Sequence, residues 1–106
     1  MIKRNLQILA LVALATAGAN AADLKGWISD ATCGTGNASS AAASRECTER
    51  CIKNGAAPVF VSEADQKVYQ VSDAELAKKH LASKVMISGE VKGDKIVIAK
   101  IVDIKD

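Results

Sequence analysis

Val85-Met86-Ile87-Ser88-Gly89-Glu90-Val91, then Lys92-Gly93-Asp94-Lys95, then Ile96 to Ile104, is the stretch on which the fold turns. Val85, Ile87, Gly89 and Val91 alternate, so they share one face of a strand. Lys92 to Lys95 turns the chain. Ile96 to Ile104 then returns as a last strand whose alternation slips near Ala99-Lys100, as one extra residue in a bulge would make it. A small sheet with strands this apolar would have adhesive edges unless it closed on itself.

Working upstream, Ser72-Asp73-Ala74-Glu75 has the form of a capping box, with Ser72 as the cap, and predicts a short helix to about Ala82. Before it, Val59-Phe60-Val61 and Val68-Tyr69-Gln70-Val71 flank the polar connection Glu63 to Lys67, which is a hairpin signal. Leu24 to Ser29 reads as a first strand, and Asp30 to Ser40 as a loop. Ala41 to Lys53 reads as a helix capped by Ser39 or Ser40 and stopped by Asn54-Gly55. Its stripe at helical spacing is Ala43, Cys47, Cys51 and Ile52. The expected fold class is mainly β with short helices: an OB-like five-stranded barrel, with a helix inserted between strands 1 and 2 besides the usual one between strands 3 and 4. An α+β sandwich is the alternative.

The chain has 106 residues, room for one domain. Lys3 and Arg4 precede the mostly apolar run Leu6 to Ala17, and Ala19-Asn20-Ala21 offers small residues at the positions a signal peptidase reads. The run is short of the roughly 20 apolar residues of a spanning helix. The expectation is therefore a signal peptide over residues 1–21, a single OB-like domain over 22–106, no membrane span after cleavage, and a secreted or periplasmic protein. The 14 basic residues include Lys3 and Arg4, so the mature domain carries 12 against 12 acidic ones. That balance gives no footprint for nucleic acid. A mature chain of this size has a thin core, which a covalent staple would help.

All three cysteines, Cys33, Cys47 and Cys51, fall in the first connection. Cys47-x-x-x-Cys51 puts two sulfurs on one helical face, with side chains nearly parallel and poorly placed to bond each other. Cys33 lies outside the helix and is the natural partner of Cys47 or Cys51. One bridge leaves an odd thiol. The expectation is a disulfide from Cys33 to Cys47 or Cys51, with no metal and no cofactor. The alternative is a soft-metal site, copper or zinc, using Cys33, Cys47 and Cys51 with His80 or Met86 as a further ligand. Thiol–disulfide exchange is a third reading, set back by the absence of a Cys-x-x-Cys spacing.

No other constellation points to catalysis. His80 is the only histidine and shares a helix face with Leu76. Ser29 has no marked base, and Glu46, Glu49, Glu63 and Asp65 form no carboxylate pair with a reason for a shifted pKa. Trp27 is expected to fill the barrel. The reading is of no enzyme.

Gly26-Trp27-Ile28-Ser29-Asp30, Cys33-Gly34, Cys47-Thr48-x-x-Cys51-Ile52-Lys53-x-Gly55-Ala56 and Val59-Phe60-Val61 together resemble a family of small secreted bacterial proteins of unknown function. Val85 to Ile101 resembles that family's closing hairpin. A histidine often stands four residues after the family's first cysteine; here that position is Asn37, which weakens a metal reading for this chain. The function expected is an exported binding or stress-related accessory module, with an unidentified small molecule or protein as partner.

Overall fold

A computed structural model describes residues 20–105. Residues 1–19 of the expected signal peptide lie outside the described residues. Five strands form a closed barrel: β1 (Asn20–Asp30), β2 (Pro58–Ser62), β3 (Val68–Val71), β4 (Lys84–Lys92) and β5 (Lys95–Asp103), in the order β1-β2-β3-β5-β4. The neighbouring pairs are antiparallel except β3 with β5, where Gln70 faces Lys95 and Val71 faces Ile96 in parallel. The mainly β, OB-like expectation is met, including a helix, α1 (Ala42–Lys53), between β1 and β2. A second helix, α2 (Ala74–Lys78), joins β3 to β4.

Alternation dictates the core. Ile28, Phe60, Tyr69, Val85, Ile87 and Ile96 point into the barrel, and Ala77 of α2 joins them. Burying each large aliphatic among them is worth about 1.5–3 kcal/mol. The Phe60 and Tyr69 rings lie 6.2 Å apart. The slip in the last strand is a bulge at the expected place: Ser88 pairs with Lys100 and Gly89 with Ile98, so Ala99 has no partner. At Gly89 the strands approach so closely that a Cβ would overlap the Val97 carbonyl oxygen.

Three local expectations need correction. Asp73, not Ser72, caps α2, accepting from the Leu76 N–H at 3.0 Å. Ser72 is drawn off by the barrel, where its Oγ accepts from the Ile98 N–H at 3.0 Å. The helix also stops at Lys78, and the chain reaches β4 through a left-handed residue, Ala82. Trp27 is only half-buried, because Ile28 takes the inward position on β1. Its indole N–H donates to Ser40 Oγ at 3.1 Å, and Lys84 Nζ stands 5.2 Å from the ring centroid.

The β1–β2 connection packs back over β1 and β2. This explains why all five residues of β2 are buried, although alternation can turn only half of them to the core.

Candidate functional site

β1 ends on Ser29 and Asp30, two polar side chains with no exposed surface. Asp30 follows Ile28 by two residues, so it leaves the strand on the core side, at its last position. Ser29 Oγ donates to the Gly34 carbonyl at 2.8 Å. Asp30 Oδ1 accepts from the Cys33 N–H at 2.9 Å. Cys33 then opens a short 3-10 turn, Gly34–Asn37, whose buried last residue donates Asn37 Nδ2 to Asp30 Oδ2 at 2.8 Å. Ser29 is thus a loop anchor, and both Asp30 oxygens are occupied.

The helix meets this end of the barrel with an unusual face. Ser44, Cys47 and Cys51 are half-buried and Thr48 is fully buried, a stripe at i, i+3, i+4 and i+7. The expected stripe differs: Ala43 is exposed, and Ile52 is half-buried at its margin. The helix is turned toward the Asp30–Asn37 pair, so small polar and sulfur side chains take the inner positions. Neither serine caps it directly. The cap residue is Ala41, which makes no side-chain bond, while Ser39 Oγ accepts from the Ala41 N–H at 3.3 Å and bonds Ser44 at 2.8 Å.

This packing brings Cys33, from the turn, beside Cys47 and Cys51, from the helix. Each thiol changes the acidity of the other two. The expected bridge from Cys33 is not closed, and all three are free. Their environments differ sharply. A hydrogen bond from Asn37 holds the Cys47 thiol below its ordinary value; loss of solvent opposes this, and Cys33, Cys51 and the Arg50 guanidinium reinforce it. Loss of solvent pushes Cys33 up, and Cys47 and the Asp30 carboxylate push it further, against a small opposing effect of Cys51. Burial likewise raises Cys51, followed by the Asp30 charge, Cys47 and Cys33.

Asp30 ties the corner together. Burial alone would raise its pKa, but the hydrogen bonds from Asn37 and the Cys33 N–H, with smaller help from the Thr48 and Cys51 side chains, outweigh burial and hold the carboxyl below its ordinary value. Thr48 Oγ1 is close enough to contribute, yet it has no partner at hydrogen-bonding distance and is fully buried.

The remaining candidates stand elsewhere. His80, beyond the end of α2, is 2.6 Å from Asp103 Oδ1 through Nδ1. Met86 lies on β4 opposite Lys25 and Val102. Among the described residues no three His, Cys, Asp or Glu side chains are arranged to hold a metal ion. Glu63 pairs with Lys84 at 2.7 Å. Glu46, Glu49, Arg50 and Lys53 line a hollow of about 270 Å³, but all four are exposed and belong to one helix, so it lacks the converging elements of a ligand pocket. No helix among the described residues is long and apolar enough to cross a membrane.

Sequence reasoning missed Asp30, Asn37 and Thr48. The available signal was the spacing Asp30-x-x-Cys33-x-x-x-Asn37, since an aspartate at the end of a strand accepts readily from backbone a few residues on. Comparison of the chain with protein-family models, curated proteins and solved structures finds no match.

Proposed function

We propose that this is an exported, OB-like accessory module whose working end is the thiol corner, and that oxidation there joins Cys33 to a helix thiol. The observation that carries the reading is the packing of the turn that Cys33 opens against the helix that bears Cys47 and Cys51, whose inner face buries sulfur and hydroxyl groups in place of aliphatic ones. A helix kept only for stability would bury leucine or isoleucine there. Closing a bridge across the β1–β2 connection restrains the unfolded chain, which suits a thin exported domain.

The bridge runs from Cys33 to Cys47 or Cys51, because the two helix thiols stand one turn apart with side chains nearly parallel and are poorly placed to bond each other. A stress-related role follows from a thiol pair at the surface of an oxidising compartment, where it is the first group to meet small oxidants.

Intact-mass analysis of protein purified from the host envelope, with and without thiol alkylation, tests both halves of the proposal. The expected mass begins at Ala22 or a neighbour and takes up one alkyl group. A mass that retains residues before Leu6 refutes export. Three alkyl groups together with bound copper or zinc refute the bridge in favour of a soft-metal thiol protein.

A further inference from the structure

Resting on the export reading above, we propose that the signal is cut after Ala19, and that Asn20 and Ala21 stay as the first two residues of the barrel. Two overlapping stretches offer small residues where a signal peptidase reads them: Ala19-Asn20-Ala21, whose cut frees Ala22, and Ala17-Gly18-Ala19, whose cut frees Asn20. The pattern of small residues fits both, and strand pairing chooses between them.

β1 is a strand from Asn20 onward, and its ladder with β4 starts there: Asn20 faces Val91, Ala21 faces Glu90 and Ala22 faces Gly89. In an antiparallel ladder, alternate residues turn both backbone groups toward the same neighbour. Further along β1, the Ile28 carbonyl accepts from the Ala82 N–H and the Ile28 N–H donates to the Ser83 carbonyl, both on the β4 side. The Lys25 carbonyl accepts from the Glu63 N–H, on the β2 side. Counting back from Ile28 in twos, Gly26, Leu24, Ala22 and Asn20 turn toward β4. Asn20 therefore serves both the N–H and the carbonyl of Val91. β5 cannot replace it, because β5 lies on the other side of β4, where Ile96 faces Val91. Val91 also matters to the barrel, since its partly buried side chain packs against the core.

A cut after Ala21 takes Asn20 away and leaves Val91 at an unpaired sheet edge, which invites pairing with other chains. A cut after Ala19 keeps the ladder whole. In that step water adds across the Ala19–Asn20 peptide bond: the hydroxyl goes to the Ala19 carbonyl carbon and the hydrogen to the Asn20 nitrogen. The new amine of Asn20 still has a donor for the Val91 carbonyl, and the Asn20 carbonyl still accepts from the Val91 N–H.

N-terminal sequencing of the processed protein from the host envelope tests the proposal. The expected reading is Asn20-Ala21-Ala22. A start at Ala22, or at any residue after Leu6 other than Asn20, overturns the proposal and leaves export intact. A chain that keeps residues before Leu6 overturns export itself. Ala21→Leu separates the two sites, because a large residue just before the cut blocks the Ala22 site and spares the Asn20 site. Ala21 is exposed, so the barrel tolerates the change. This variant is expected to be processed like wild type, and accumulation of uncut precursor overturns the proposal. Hydrogen exchange on the processed wild-type protein reads the ladder directly. The Val91 N–H is expected to exchange at least about fivefold more slowly than in the urea-unfolded chain. Exchange at the unfolded rate overturns the pairing on which the proposal stands.

Discussion

Replacing Asp30 with alanine probes both the fold and the thiol corner. The side chain has no exposed surface and accepts two charge-assisted hydrogen bonds, from Asn37 Nδ2 at 2.8 Å and from the Cys33 N–H at 2.9 Å. A hydrogen bond to a charged group contributes about 1.5–3 kcal/mol. The Cys33 N–H lies on an exposed residue and regains water when the acceptor goes, so its share falls at or below the low end; Asn37 is buried and loses its partner outright. The expected cost is about 3 kcal/mol. For a domain of this size that is a drop of roughly 12–24 °C in melting temperature. The pH dependence gives a second readout. Because the folded carboxyl titrates below its ordinary value of 3.8, the unfolded chain takes up the proton first as pH falls. The contribution is full above the unfolded value and is lost as pH falls through the folded one. Asp30→Asn, which keeps the shape without the charge, should flatten the acid limb of the stability–pH curve. Thermal and urea melts between neutral pH and acid measure both effects. An Asp30→Ala protein melting within a degree or two of wild type, or an unchanged acid limb in Asp30→Asn, would refute the reasoning.

Ile87→Asp should destabilise severely, because it buries an unpaired charge in the core, whereas Lys92→Asp at the exposed turn should cost little; matched urea melts separate the two. Gly89→Ala should cost about 1–3 kcal/mol or more, because its methyl group would meet the Val97 carbonyl at the bulge, and a melt matching wild type would remove that close approach from the account. Thr48→Val should be neutral or stabilising by about 1 kcal/mol, since it removes a buried hydroxyl without a partner; a clear loss of stability would show that the hydroxyl is satisfied in solution.

Period-two patterning made the barrel readable. Val85, Ile87 and Val91 alternate because one face must be dry, and the slip at Ala99 is visible because a bulge moves every later side chain by one position. The capping box at Ser72 misled because a local signal competed with a distant one: the Ile98 N–H reaches Ser72 only once β5 has docked, and no spacing within the helix encodes that. Trp27 was misplaced for a related reason. Its neighbour Ile28 has the same apolar character, and only strand register decides which of the two points inward. At the site, the cysteines were readable as a group, but the groups that distinguish them were not. Asp30 looks like an ordinary loop residue until Asn37 and Thr48 fold over it, and the acidity of each thiol is set by those tertiary neighbours. The helix stripe failed at Ala43 because hydropathy favours alanine over serine and threonine, while the buried carboxylate it faces favours hydroxyl and thiol groups.

The central claim is that oxidation joins Cys33 to one of the two helix thiols, Cys47 or Cys51. Peptide mapping of the oxidised protein, digested after free thiols have been alkylated under acid quench, tests this most directly. The account predicts one cross-linked peptide pair joining Cys33 to Cys47 or to Cys51, with the alkyl label on the remaining thiol. A Cys47–Cys51 cross-link, or three labelled cysteines after oxidation, would contradict it.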